Sequence, residues 1–211
     1  MISKYHREIT HAALSKHVSE KALKTILKAN LGQDRLTNQI GHDHLHFDSN
    51  TFEEGFAYIA HQEYLVIFNS KQENYSDARK AFGRLIHTWQ DFYSHSNYVR
   101  LWLDKNNNKD PHEIDFDDQE IIKHPDLKSG VNYGIIEYFA LLPVLSNLIK
   151  PHMPADSHAK MNLDTPSSGP AFSYVYYAAL KRTQSALDSI LEGMVSLGLP
   201  EECFRGQKMH E

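Results

Sequence analysis

The chain has 211 residues, 22 basic and 27 acidic side chains, and a formal net charge of −5 with histidine neutral. That length is enough for one well-filled core, and 41% hydrophobic against 23% charged residues excludes wholesale disorder. The acidic balance is a poor match for nucleic-acid phosphates, so nucleic acid is not an expected partner. The single cysteine, Cys203, excludes an internal disulfide and any cysteine-rich zinc module. The outlier is histidine, 14 in all, and imidazole is both the commonest metal ligand and the usual acid or base near neutral pH.

Helical periodicity runs through almost the whole chain. Ile9, Ala12, Ala13, Leu14, Val18, Ala22, Leu23 and Ile26 form the apolar stripe of a first helix, and Asn30, Gly32 and Asp34 mark its end. A histidine-rich connector spans 41–50. A second helix follows over about 51–69, with Phe52, Phe56, Ile59 and Ala60 on one face. The longest pattern covers about 76–104 and carries Ala78, Ala81, Phe82, Leu85, Ile86, Trp89, Phe92 and Tyr93 at spacings of three and four. A polar turn at 106–111 leads into a loop to about 130, with a short helix near 118–123. A buried helix is predicted over 135–150, a proline-rich loop over 151–170 and a last helix over 172–197. With no period-2 pattern and no linker, the reading is all-α: a single compact multi-helix domain over 1–211, of five or six helices. No signal-peptide-like stretch opens the chain and no run is long enough to span a bilayer, so the expected location is cytoplasmic.

The strongest local signal is the run from Gly83 to Val99. In it His87, Asp91 and His95 stand at i, i+4 and i+8, one face of a helix, with neighbouring Cβ atoms about 5–6 Å apart. Two such neighbours reach one ion, because zinc–nitrogen and zinc–oxygen bonds are about 2.0–2.2 Å. Gly83 continues the row one turn earlier, where a missing side chain lets another segment approach. The second signal is His42-Asp43-His44-Leu45-His46-Phe47-Asp48, whose alternation brings several donors to one place. His6 and His158 are weaker signals taken singly.

Taken in order, His6-x-x-Ile9, Ala29-Asn30-x-x-x-Asp34, His46-Phe47-Asp48, His87-x-x-x-Asp91 with His95, and His158-x-x-x-Asn162 before a helix containing Thr183 resemble the zinc-dependent phospholipase C family. The run 85–97 is most similar to its heterokaryon-incompatibility C branch, which is related to fungal single-strand-specific zinc nucleases. The resemblance implies a cleft with Zn2+, one to three ions. Asp34, His46, His87 and Asp91 would hold one zinc. Asp91 would bridge to a second, held also by His6. His95 and His158 would hold a third. Where that family has a carboxylate this chain has Asn162, and Asp164 or the 110–118 loop would substitute. The family's amino-terminal ligand is given no counterpart, because only five residues precede His6.

The implied activity is hydrolysis of a phosphoester substrate, phospholipid among the candidates, by metal-activated water, with Asp34 as the catalytic group that orients or deprotonates that water. Asp43, Asp48 and Glu54 are candidates to accept from the ligating imidazoles. Tyr93, Tyr98 and Trp102 read as core rather than cleft. Two alternatives remain open: an HD-type metal phosphohydrolase, in which His42 and Asp43 ligate directly, and a non-enzymatic metal-binding protein of the same fold.

Overall fold

The computed structural model describes residues 1–211 apart from 40, 107–108, 135, 137–144, 146–147 and 208–211. Among the described residues every regular element is helical, as expected, and the nearest approach to a sheet is two isolated bridges, Ser96 with Ser129 and Val131 with Ser157. None of these helices is long and apolar enough to cross a membrane. The predicted helix at 135–150 lies largely outside the described residues.

The first predicted helix is two: α1 at Ser3–Leu14 and α2 at Glu20–Gly32. Its apolar stripe is buried except at Ala12, which faces solvent. The break falls where Ser19 takes an extended conformation and caps α2, its hydroxyl accepting from the Ala22 N–H at 3.2 Å. A cap of this kind contributes about 1 kcal/mol. The Ser19 N–H is also tied to the Arg205 carbonyl at 2.8 Å, a tertiary contact that fixes the angle of the break.

After a short α3 at Leu36–Gln39 and a single 3-10 turn at Asp43–Leu45, α4 covers Phe52–Lys71. The longest predicted pattern is also two helices, α5 at Tyr75–His95 and α6 at Tyr98–Lys105. Ser96 is extended, and Asn97 leaves the helix to bond Lys128 and Asp126. Its N–H donates to the Lys128 carbonyl at 2.9 Å, and its side-chain amide donates to the Asp126 carbonyl at 3.0 Å. The chain continues through α7 at Gln119–Ile122, α8 at His158–Met161, α9 at Phe172–Ser196 and α10 at Glu201–Arg205.

Helix α5 is the axis of the fold. It packs on α2, α4 and α9, while α1 lies across α9 and α2. Gly83 is what allows α2 so close. A Cβ there would overlap the Ile26 carbonyl oxygen and stand 2.9 Å from the Ala29 methyl and 3.1 Å from the Asn30 nitrogen. On the opposite side, Phe47, Phe52, Phe56 and Trp89 cluster around Phe92, with ring centroids 5.0–6.5 Å apart. Such pairs add about 0.5–1.5 kcal/mol each beyond their buried area. Tyr93, Tyr98 and Trp102 are core residues, as read from the sequence.

Candidate metal centre

The polar face of α5 is as buried as its apolar one. His87, Gln90 and Asp91 have no exposed surface, and His95 is buried at the helix end. Four segments close over that face. α1 brings His6, the end of α2 brings Asp34, the 41–50 connector brings His46 and Asp48, and α8 brings His158. The connector turns sharply to do so: Phe47, Ser49 and Asn50 have φ of 54°, 53° and 59°. A non-glycine residue in the left-handed region costs about 1–3 kcal/mol. Burial of the Phe47 ring in the aromatic cluster offsets that cost, and the turn leaves His46 and Asp48 buried on either side of it. α8 is placed by strand-like bonds, His158 N–H to the Val131 carbonyl at 2.9 Å and Gly130 N–H to the His95 carbonyl at 3.1 Å.

Donor atoms of His6, Asp34, His87 and Asp91 lie within 4.8 Å of one another, and so do those of Asp48, His95 and His158. Asp91 is the centre of the first group. Its Oδ2 stands 3.0 Å from His87 Nε2 and 2.8 Å from His46 Nδ1, and its Oδ1 stands 3.1 Å from His6 Nε2. His87 Nε2 and His46 Nδ1 are themselves 3.3 Å apart. His6 Nδ1 is 2.7 Å from the Gln90 side-chain oxygen, which only accepts, so Nδ1 carries a hydrogen. In a neutral ring the His6 Nε2 lone pair then faces a carboxylate oxygen. Nitrogen lone pairs and carboxylate oxygens packed at these distances require protons or a cation among them. Among the described residues His6 Nε2, His46 Nε2 and His87 Nδ1 make no hydrogen bond although fully buried.

Gln90 serves four partners at once. Its oxygen accepts from His6 Nδ1 and from Asn30 at 3.2 Å, and its amide donates to Thr10 and Thr183 hydroxyls, each at 3.1 Å. Asp34 accepts from the Ser3 hydroxyl through Oδ2 at 2.7 Å, leaving Oδ1 toward His87 Nε2 at 3.6 Å.

In the second group Asp48 Oδ1 accepts from His158 Nδ1 at 2.8 Å and lies 3.2 Å from His95 Nδ1. Asp164 Oδ1 lies 3.3 Å from His95 Nε2. The Met1 amino group sits where the two groups meet, 2.6 Å from Asp91 Oδ1, 3.0 Å from Asp164 Oδ1 and 2.8 Å from His95 Nε2. A cleft of about 370 Å³ opens onto this junction, lined by Asp34, Asp48, His95, His158 and Asp164, and among the described residues no lysine or arginine side chain lines it.

The electrostatics follow from that composition. Burial, with help from the neighbouring His6, pushes His87 down to about 4, so its ring is neutral near pH 7. Burial opposes the charge on Asp91, but the Met1 ammonium and the surrounding imidazoles hold it well below the usual carboxylate range. Asp48, beside His95 and His158, is held low against burial in the same way. Asp164, Asp91 and Asp34 outweigh burial to lift the Met1 amino group to about 11. Asp91 and Asp48 lift His95 to about 10 against burial and the ammonium. Two nitrogens 2.8 Å apart share only one proton between them, so one of this pair is neutral at the contact.

The structure brings all seven expected donors, His6, Asp34, His46, His87, Asp91, His95 and His158, to one place, but it groups them differently. His6 joins Asp34 and His87 around Asp91, and Asp48 joins His95 and His158. The carboxylate beside both His95 and His158 is Asp48, and Asp164 lies against the other nitrogen of His95. Asn162 instead serves the His158 ring, its amide 2.8 Å from Nε2. The 110–118 loop does not contribute; Asp117 and Asp118 are tied to Arg182 and Lys105. The direct ligation by His42 that the HD-type alternative required is absent, because His42 is exposed and belongs to neither group. Sequence reasoning set the amino terminus aside, although the Met1 amino group lies at the junction, and it missed Gln90. Ile2 is the extended N-cap residue of α1, so residue 1 lies immediately before the helix that carries His6.

The chain matches the VWA7 N-terminal domain family over residues 4–121. Von Willebrand factor A domain-containing protein 7 of Homo sapiens is 34% identical to it over 80 residues, 38% of this chain and 9% of that protein. The Rattus norvegicus and Mus musculus proteins of the same name match equally, so the matched stretch is a small part of each of these relatives. No solved structure matches. These matches overturn the resemblance to the zinc-dependent phospholipase C family, and the zinc-dependent phosphoester hydrolase activity implied by it goes too. The physical reason is that His-x-x-x-Asp on a helix, with scattered histidines converging on it, is a donor geometry and not a mark of ancestry. The matched residues include His6, Asp34, His46, Asp48, His87, Asp91 and His95, while His158 and Asp164 come from beyond them. By its match over more than half its length, the chain belongs to the VWA7 N-terminal domain family.

Proposed function

We propose that the domain is a divalent-metal-binding module with two neighbouring sites, one formed by His6, Asp34, His87 and Asp91 with His46 beside them, the other by Asp48, His95 and His158. The observation that supports this most is the buried Asp91 carboxylate with imidazole nitrogens of His6, His46 and His87 within 3.1 Å and, among the described residues, no lysine or arginine lining the cleft. Imidazole and carboxylate donors without thiolate suit several first-row ions, and zinc, the cofactor expected from the sequence, is one of them. Asp34 enters as a ligand through its free Oδ1. Elemental analysis of the purified protein is expected to find such an ion. Stripping it with a chelator is expected to lower the melting temperature by about 5–10 °C, from about 2.7 kcal/mol of stabilisation at a hundredfold excess over Kd. A protein that holds no metal and melts identically with chelator or added Zn2+ and Co2+ would refute the proposal.

Gln90 fixes which His6 nitrogen is free, so it acts on the metal through that ring. Gln90→Met is expected to weaken metal affinity about 10–100-fold in titration calorimetry. Thr10→Val removes another bond of the same network without touching His6. It is expected to lower stability by about 1–3 kcal/mol while leaving metal affinity near normal. Equal losses of affinity in both variants would reduce Gln90 to a packing role.

A further inference from the structure

The net charge of −5 conceals a locally basic groove. It lies between α2 and the first half of α5, on the outside of the Gly83 close approach, and α3 closes one end; its volume is about 510 Å³. Lys21, Lys24 and Lys28 stand along its α2 wall, Lys80 and Arg84 along its α5 wall, and Arg35 at the closed end. Lys21, Lys24, Lys28 and Arg35 are exposed, and no carboxylate and no aromatic ring is among the described residues that line the groove. Two of the cations are partly engaged: Lys80 with Asp77 at 2.6 Å and Arg84, whose Nε donates to the Gln62 oxygen at 2.9 Å. The α2 lysines have no such anchor among the described contacts. Holding these like charges along one trough costs free energy through mutual repulsion, which an anionic occupant relieves.

We propose that this groove binds an acidic peptide segment, a run of aspartate and glutamate in extended conformation. At 1.5 Å rise per residue, Lys21, Lys24 and Lys28 are spaced by about 4.5 and 6 Å along α2. Alternate side chains of an extended peptide repeat at about 6.5–7 Å, which lets successive carboxylates on one face meet successive lysines within the reach of their flexible stems. Ser76 lines the groove between the charges, and the Thr25 and Asn38 side-chain oxygens remain as acceptors for peptide N–H groups, Thr25 donating to the Lys21 carbonyl and Asn38 to the Gly32 carbonyl. The absence of an aromatic platform argues against single-stranded nucleic acid, whose bases bind by stacking. The concave shape argues against a bilayer, which meets basic residues on flat or convex faces.

The test is fluorescence anisotropy with a labelled twelve-residue Asp/Glu peptide, beside labelled oligo-dT of the same charge and vesicles containing phosphatidylserine. The peptide is expected to bind the full chain, to weaken as salt rises from 50 to 300 mM, and to lose at least tenfold in affinity for the triple variant K21E/K24E/K28E. The variant K123E/K128E/K150E changes net charge equally at exposed lysines outside the groove, and is expected to bind within twofold of the unaltered chain. Circular dichroism and metal content are expected to be unchanged in both, so failure here is distinct from failure of the metal centre. Equal losses in the two triple variants, tighter binding of oligo-dT or vesicles than of peptide, or no binding at 50 mM salt would each overturn the proposal.

Discussion

Asp91→Ala is expected to abolish metal binding at the first of the two sites and to lower stability by about 3–5 kcal/mol, the range for removing one partner of a buried charge pair. No other single side chain touches so much of the centre. Its two oxygens meet His6, His46 and His87 and the Met1 ammonium, all with almost no exposed surface. Deleting the carboxylate leaves the ammonium buried with Asp164 as its remaining ion-pair partner among the described residues. It also leaves imidazole nitrogens without an acceptor, and solvent does not reach them. Asp91→Asn separates the two effects. It keeps the volume and some hydrogen bonds, so it is expected to retain more stability than alanine while still losing the metal. Urea unfolding with excess chelator, and again with excess Co2+, reads both. In the unaltered chain the two midpoints are expected to differ, and in either variant to differ by less, the remainder coming from the second site. An Asp91→Ala protein that gains as much stability from Co2+ as the unaltered chain would place the ion elsewhere.

Gly83→Ala is expected to be nearly as damaging, though it removes nothing. The new methyl group meets the Ile26 carbonyl and the Ala29 methyl of a rigid facing helix, and backbone cannot rotate away as a side chain can. Overpacking of this kind costs about 1–3 kcal/mol, and occasionally more. The relief available is to push α2 off α5. Since α2 carries Asn30 toward Gln90 and Asp34 toward His87, that movement is expected to weaken metal affinity as well. Denaturation and calorimetric titration of the same sample check the pair of effects. A variant within 0.5 kcal/mol of the unaltered chain would show that the helices are not in contact there.

The row His87, Asp91, His95 was legible because helical periodicity alone places i and i+4 side by side, and Gly83 was legible as its continuation. Asp48 was read only as a hydrogen-bond acceptor, because its membership of the second group depends on a left-handed turn at Phe47 that no propensity for phenylalanine suggests. Gln90 was invisible for a related reason. A glutamine amid apolar residues reads as a solvent-facing position, and only the arrival of α1, α2 and α9 makes it a hub. The two helix breaks were missed because the apolar phase runs on through them. What interrupts the helix is a bond to a distant segment, Ser19 to Arg205 and Asn97 to Lys128, and such partners are set by tertiary structure. The family was not legible from the donors, since their spacing reports what a metal requires of a helix rather than descent.

The donors of the centre are spread over more than 150 residues, beginning with His6 on α1 and ending with His158 on α8 and Asp164 just beyond it. None of the segments that carry them is able to assemble the site alone. A chain emerging from a ribosome therefore cannot complete the centre until residue 164 is made, and loops this long close late. An ion bound there arrives after the folding transition and stabilises contacts absent from it. It is expected to slow unfolding and to leave the folding rate nearly untouched, a latch set on a finished fold.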